Sequence, residues 1–235
     1  MNIILLGYGK MGKTIERIAV QRGHHISAKI DIDNHQELNT AHGDVAIEFS
    51  HPDAAFENVQ RCLQRHIPVV CGTTGWLSRK PEIEALCTAH EGAFFYASNY
   101  SLGVNIFFKV NEYLARIMNN FPGYEIEMDE IHHTEKKDAP SGTAITLADG
   151  ILKHVTRKKK WVNEDTENPE EIAIKSFRID DIPGTHVVKY NSPIDDLEIR
   201  HTAHSREGFA LGAVLVAEWI RGRKGALNMD DFLKF

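Results

Sequence analysis

The run Asn2-Ile3-Ile4-Leu5-Leu6 passes directly into Gly7-Tyr8-Gly9-Lys10-Met11-Gly12, and then into a segment whose apolar positions Met11, Ile15, Ile18 and Ala19 share a helical face. A wholly apolar strand, a glycine-spaced turn and an amphipathic helix in that order leave few folds open. Such a strand is buried on both faces, as in a parallel sheet. Each glycine has its own reason: Gly7 permits the tight turn, Gly9 lets a pyrophosphate reach the backbone, and Gly12 lets helix and strand pack closely. The spacing alone is weak. Its position between a strand and a helix is the context a dinucleotide site requires.

The next hundred residues repeat the theme. A strand over residues 26–30 ends in Asp31, roughly 20 residues beyond the glycines, where a carboxylate accepts hydrogen bonds from the adenosine ribose. Ile32 follows instead of an arginine, so no guanidinium fork for a 2′-phosphate stands there, with Lys10 as a possible substitute. The cofactor expected is NADH and/or NADPH, with a lean to NADH. Residues 33–43 lack the periodicity of a crossover helix and read as a loop. Strands over 44–49, 69–71 and 93–96 alternate with helices from about 53 and over 81–89. The result is an α/β fold, a Rossmann-like doubly wound parallel sheet. Ligands gather at the carboxyl ends of such strands. Those ends carry Gly7, Tyr8, Gly9, Lys10 and Met11, then Asp31, Ser50, Gly72-Thr73-Thr74 and Ala97-Ser98-Asn99-Tyr100, which are the candidate cofactor residues.

Beyond a long helix over 104–120, with Phe107, Val110, Leu114, Ile117 and Met118 on one face, the pattern changes. Strands over 124–131, 172–179, 185–190 and 197–204 enclose a single helix, which reads as a second α+β domain on an open mixed sheet. The helical, apolar stretch 209–220 and a short element near Met229 are expected to return to the first domain. The expected division is therefore a discontinuous dinucleotide-binding domain, 1–101 with 207–235, and a substrate-binding and oligomerisation domain, 102–206. The open sheet offers a surface for a second subunit, so a homo-oligomer is expected.

Between strand 124–131 and that single helix lies Glu130-Ile131-His132-His133-Thr134-Glu135-Lys136-Lys137-Asp138-Ala139-Pro140-Ser141-Gly142-Thr143-Ala144. Pro140 suits a first helical turn and Asp138 is available as its cap. Backbone N–H groups of Ser141, Gly142 and Thr143 at the helix start favour a carboxylate, and Gly142 admits close approach. Lys136 and the histidines add cationic or proton-donating groups. Alone, the segment could equally be a polar surface loop and an ordinary helix start.

Composition narrows the field. With 42% hydrophobic and 26% charged residues the chain has an ordinary globular composition, and a net charge of −6 leaves no nucleic-acid footprint. The basic run 157–160 is followed by an acidic stretch, and both read as solvated loop. Cys62, Cys71 and Cys87 have no ligand or disulfide spacing and are expected as buried thiols. No apolar run approaches the ~20 residues of a membrane span. The first strand leaves no room for a signal peptide, so a cytoplasmic protein is expected.

The run Glu-x-His-His-x-x-Lys-x-Asp-Ala-Pro-Ser-Gly-Thr-Ala over 130–144, together with the glycine fingerprint, Gly72-Thr73-Thr74-Gly75, Ala97-Ser98-Asn99-Tyr100-Ser101 and His201-x-x-x-Ser205-Arg206, resembles the dihydrodipicolinate reductase family over nearly the whole chain. The resemblance implies that a nicotinamide hydride reduces a cyclic, unsaturated imine-type dicarboxylate in diaminopimelate and lysine biosynthesis. It implies His132 as general acid and Lys136 as cationic proton donor. His133, Gly142 and Thr143, with Ser141 beside them, match residues that hold the substrate carboxylates, and Arg206 is a further substrate contact. A tetramer built on the second-domain sheets is also implied. The chain departs from the family at Lys10 and Ile32, where many members carry arginines that help hold a 2′-phosphate.

Two other classes compete. Hydrolysis at a metal held by Glu130, His132 and His133 meets the difficulty that adjacent residues of an extended segment face opposite ways, and no third spaced histidine or cysteine is apparent. No metal is therefore expected. A dinucleotide sensor needs the glycines but has no use for His132 and Lys136.

Overall fold

Short apolar runs stack side by side in the first unit because nothing in them tolerates water. The computed structural model describes residues 1–205 and 207–234. The chain divides into two compact units, Met1–Ser101 with Glu207–Phe235, and Leu102–Arg206.

In the first unit, strands β1 (Asn2–Leu6), β2 (His25–Ile30), β3 (Val45–Glu48), β4 (Val69–Cys71) and β5 (Ala93–Tyr96) alternate with helices α1 (Lys10–Gln21), α2 (Pro52–Gln64) and α3 (Lys80–Ala89). With β11 (Gly225–Leu227) at one edge, the sheet order is β11-β5-β4-β3-β1-β2, and every pairing is parallel. The period of two divides each strand between two cores. Ile3, Leu5 and Ile47 pack with α1 and α6 (Glu207–Ile220), whereas Ile4, Leu6 and Ala46 pack with α2 and α3. The sixth strand, β11 (Gly225–Leu227), is too short for periodicity to register and lies on β5. Helix α7 (Met229–Leu233) follows it.

The stretch expected as a loop after Asp31 is instead a kinked 3-10 helix, Ile32–Asn39. Two local bonds explain it: the Asp31 carboxylate accepts from Ile32 N, while Asn34 Oδ1 accepts from Asp31 N at 2.7 Å. Leu38 is its only buried residue, which is why no amphipathic signal was legible.

The second unit runs α4 (Leu102–Met118), β6 (Glu125–His132), α5 (Gly142–Leu152), β7 (Lys160–Val162), β8 (Glu171–Arg178), β9 (Gly184–Asn191) and β10 (Asp196–Ala203). Its sheet has the order β10-β9-β6-β8-β7. The central strand β6 is antiparallel to β9 and parallel to β8, so the sheet is mixed. Helices α4 and α5 pack on it through Phe107, Ala115, Leu147 and Ile151 against Ile126, Met128 and Val188.

Three expectations need correction here. The buried face of α4 is Val104, Phe107, Asn111, Ala115 and Met118, and Val110 and Ile117 are exposed. Helix α5 begins at Gly142 with Ser141 as its cap, not near Pro140 with Asp138. The basic run is not simply solvated: Lys158 is buried, its ammonium bonded to Glu125 and to the Glu171 carbonyl. The three cysteines are buried and free. Among the described residues no helix is long and apolar enough to cross a membrane.

Candidate active site

The nucleotide end of the first unit is built by exclusion of side chains. A Cβ on Gly7 would run into the Phe49 carbonyl, and one on Gly12 would run into the Gly7 carbonyl. Gly7 also holds φ +91°, a left-handed conformation that suits glycine. At Gly9 a Cβ would meet nothing within 4 Å, so the space above that residue is open. Gly9 is the residue before α1 and provides no side-chain cap. The first-turn N–H groups are therefore free for an anion. The chain fits a dinucleotide here.

A cavity of about 460 Å³ opens beside the loop, lined by Tyr8, Gly9, Asp31, Ile32, His35 and Arg61 among others. Asp31 is oriented by the loop itself, since Oδ2 accepts from Tyr8 N at 3.1 Å and Oδ1 from Ile32 N at 2.9 Å. Ile32 is 82% exposed, and Lys10 is also exposed. The Tyr8 hydroxyl is turned to Glu16, which also pairs with Lys29. Ser50 lies over a wholly buried carboxylate, Glu48, to which its hydroxyl donates; Ser50 N also donates to Thr73 Oγ1 at 2.9 Å. Glu48 was missed from sequence, because it ends an apolar strand and carries no motif.

The strand ends predicted to contact cofactor differ in what they expose. Ser98 and Thr74 are exposed, and Gly72 packs against the Phe49 ring. Tyr100 and Ala97 are buried, with the Tyr100 hydroxyl donating to the Cys71 carbonyl at 2.7 Å. Their side chains belong to the core, which leaves the backbone of that segment to meet a cofactor. Asn99 Oδ1 is turned back to Ser101 N.

In the second unit, the alternation of β6 that buries Ile126 and Met128 continues to Glu130 and His132. Both are buried, Glu130 completely. His132 Nδ1 meets Glu130 Oε2, and Arg178 Nη1 stands 2.9 Å from Glu130 Oε1. Burial works to raise the Glu130 pKa, but the polar side chains of His132, Ser176 and Arg178 beside it outweigh that and hold the carboxyl at about 2. The carboxylate is thus a fixed anion beneath the imidazole.

His186 of β9 stands edge-on to His132, ring centroids 5.0 Å apart. Burial, and then the neighbouring His132, push its pKa down to about 3, so it is neutral. Its Nε2 is 2.9 Å from Ser141 Oγ, and Ser141 accepts from Ala144 N at 3.2 Å, capping α5. Ser141 is buried, so its hydroxyl is committed to the cap and not turned outward. That cap leaves the N–H groups of Gly142 and Thr143. Gly142 is exposed, and a Cβ there would meet nothing within 4 Å.

Lys136 Nζ is bonded to both oxygens of Asp138 at 2.8 Å, a two-residue clasp that lowers the Asp138 pKa. His133 lies apart from His132, lining a cavity of about 390 Å³ in which its neighbours include Asp180 and Asp181. Arg206 falls outside the described residues.

Glu130, His132 and His186 bring three possible metal-donor atoms within 4.8 Å of one another. The third donor comes from β9, which corrects the reading that no third histidine was available. These donors are committed to one another and to their neighbours: Nδ1 of His132 to Glu130, the other Glu130 oxygen to Arg178, and Nε2 of His186 to Ser141. A guanidinium in contact with the carboxylate opposes a cation there.

A family model described as dihydrodipicolinate reductase, N-terminus, matches residues 1–100, and its C-terminal counterpart matches residues 103–233. The chain belongs to the dihydrodipicolinate reductase family. A 4-hydroxy-tetrahydrodipicolinate reductase of Christiangramia forsetii is 50% identical over 235 residues, 99% of this chain and 98% of that one. One of Neisseria gonorrhoeae is 32% identical over 228 residues, covering 93% of this chain and 83% of the relative. A dipicolinate-bound dihydrodipicolinate reductase from Paenisporosarcina sp. TG-14 shares the fold with TM-score 0.80 at 20% identity, covering 99% of both chains. A probable dehydrogenase from Thermotoga maritima also shares it, with TM-score 0.56 at 9% identity, covering 98% of this chain and 92% of that one. As a dihydrodipicolinate reductase family member, the chain is a pyridine-nucleotide-dependent oxidoreductase with a Rossmann nucleotide unit.

Proposed function

We propose that this chain reduces 4-hydroxy-tetrahydrodipicolinate to tetrahydrodipicolinate, in the route to diaminopimelate and lysine. The observation that carries the reading is the single segment from Glu130 to Thr143. It presents a histidine seated on a buried carboxylate, a lysine and an open helix start.

The bound nicotinamide supplies hydride to the ring. The ring hydroxyl leaves as water, which puts a C=C bond in conjugation with the C=N; hydride arrival at that system builds negative charge, which an acid must quench. His132 is that acid, its Nδ1 side held by Glu130 and its Nε2 left to meet substrate. Lys136 supplies the second cationic donor once a substrate carboxylate replaces Asp138 on its ammonium. The N–H groups of Gly142 and Thr143 take a carboxylate at the α5 start, with Ser141 fixing that turn. His133 and Arg206 are assigned to substrate on family likeness alone. Gly7, Tyr8, Gly9, Lys10, Met11, Ser50, Thr73, Thr74, Ser98 and Asn99 line the cofactor path mainly through backbone, with Asp31 on the ribose.

NADH is the favoured donor, because the exposed Ile32 beside Asp31 offers no partner to a 2′-phosphate. The protein is cytoplasmic and forms a homo-oligomer, a tetramer by family likeness, through the open sheet of the second unit. The deciding experiment generates the substrate in place from pyruvate and aspartate semialdehyde with the preceding synthase, and follows nicotinamide absorbance with NADH and then NADPH. Synthase-dependent oxidation, faster with NADH, is expected. Tight dinucleotide binding with no oxidation would favour a sensor.

A further inference from the structure

Arg178 closes β8 directly beside His132, its Cα partner across the parallel β6–β8 pairing. Its guanidinium serves four groups. Nη1 stands 2.9 Å from Glu130 Oε1 and donates to the Phe177 carbonyl at 2.8 Å. Nη2 donates to the Asp138 carbonyl at 2.6 Å, and Nε to the Lys136 carbonyl at 3.3 Å. One planar fork thus holds the carboxylate under His132 and the backbone on which Lys136 is carried.

We propose that Arg178 is the positioning residue of the proton-donating pair. Through Glu130 it fixes the ring and tautomer of His132, and through the two carbonyls it fixes the loop that bears Lys136. The proposal rests on the assignment of His132 and Lys136 as donors.

The geometry requires a fork. An arginine presents five N–H donors in one plane, whereas a lysine offers a point charge on a flexible stem and cannot span a carboxylate and two carbonyls at once. Glu130 is wholly buried, and without the guanidinium its Oε1 faces neither water nor a cation. The carboxylate is then free to shift, and the Nδ1 contact that selects the His132 tautomer shifts with it. Nothing in this chain of contacts reaches the glycine loop, so cofactor affinity has no reason to change.

The test uses the full-length chain carrying Arg178→Lys, with Arg178→Met beside it; the lysine variant keeps charge and stem should the methionine variant fail to fold. Imidazole-nitrogen NMR of selectively labelled histidine, assigned with His132→Gln, reads the His132 tautomer directly. Steady-state kinetics separate turnover from the KM for NADH. The expected result for Arg178→Lys is loss of the Nδ1–H signal of a His132 ring held on Glu130, turnover lower by about 10²-fold, and a KM for NADH within about twofold of the parent. Guanidinium ion at millimolar concentration restores part of the turnover of Arg178→Met and none of that of His132→Gln. An unchanged His132 spectrum in Arg178→Lys overturns the proposal whatever the rate. Full activity in His132→Gln would instead remove the donor assignment, and the NMR result would still decide whether Arg178 sets the ring.

Discussion

Ser141 Oγ and His186 Nε2 stand 2.9 Å apart, joining the cap of α5 to the strand beside the His132 ring. The same hydroxyl accepts from Ala144 N. Ser141→Ala removes both contacts, and the cap alone is worth about 1 kcal/mol. Chemical denaturation should show a loss of at least that size. Because the helix start loosens, the KM for the dicarboxylate should rise more than turnover falls; a fall in turnover with KM unchanged would place Ser141 in the chemical step.

His132→Ala should lower turnover by about 10²–10⁴-fold, the usual contribution of a general acid, with dinucleotide binding retained. Single-turnover oxidation of the reduced cofactor measures the step. A parental rate would remove His132 from the mechanism.

Gly184 matters through the space it leaves. A Cβ there would lie 3.0 Å from His132 Nε2 and 3.2 Å from Cδ2. Gly184→Ala therefore crowds the nitrogen facing substrate. Turnover should fall by about tenfold, the effect of a reacting group displaced by a fraction of an ångström. Retention of full turnover would show that the ring reaches substrate from another side.

Ile32→Arg places a guanidinium beside Asp31, at a position 82% exposed, so burial opposes nothing. The ratio of kcat/KM for NADPH to that for NADH should rise. No change in the ratio would mean that residues 31 and 32 do not read the 2′ position.

Acid stability follows from two shifts of the same sign. Glu130, at about 2 when folded against an ordinary 4.5, contributes stability that is complete above 4.5 and is lost as pH falls towards 2. His186, at about 3 against an ordinary 6.5, stays neutral in the fold while the unfolded chain takes up a proton, so stability falls from pH 6.5 towards 3. Unfolding free energy should decline continuously from pH 6.5 downward. In His186→Gln the upper part of that decline, above pH 4.5, should flatten; an unaltered profile would mean His186 is not neutral in the folded protein.

Much of the architecture was legible because it rests on composition over short distances. Strands such as Asn2–Leu6 are apolar from Ile3 onward, and Gly7 and Gly12 are required by close backbone contacts while Gly9 leaves open space. The buried face of α4 was not legible, because Ile106, Val110, Tyr113 and Ile117 give the exposed side an apolar stripe as regular as the inner one. Strands β7 and β11 are three residues each, below any period. Within the site, Glu130, His132 and Lys136 share one segment, whereas His186 and Arg178 arrive from β9 and β8. They meet it only through the register that sets Glu130 opposite His186 and His132 opposite Arg178. Register is a property of the assembled sheet, and neither residue carries a local motif.

The discontinuous first unit also sets an order of events at the ribosome. Residues 102–206 form a contiguous block that can close as soon as it has emerged. The parallel sheet, though translated first, still lacks its β11 edge and the helix whose Ala213, Val214 and Ile220 cover Ile3 and Leu5. Its apolar strands must wait, partly uncovered, for the last thirty or so residues. The half of the protein made first is the half finished last, and truncation near the carboxyl end should expose the nucleotide unit to proteolysis while sparing the other.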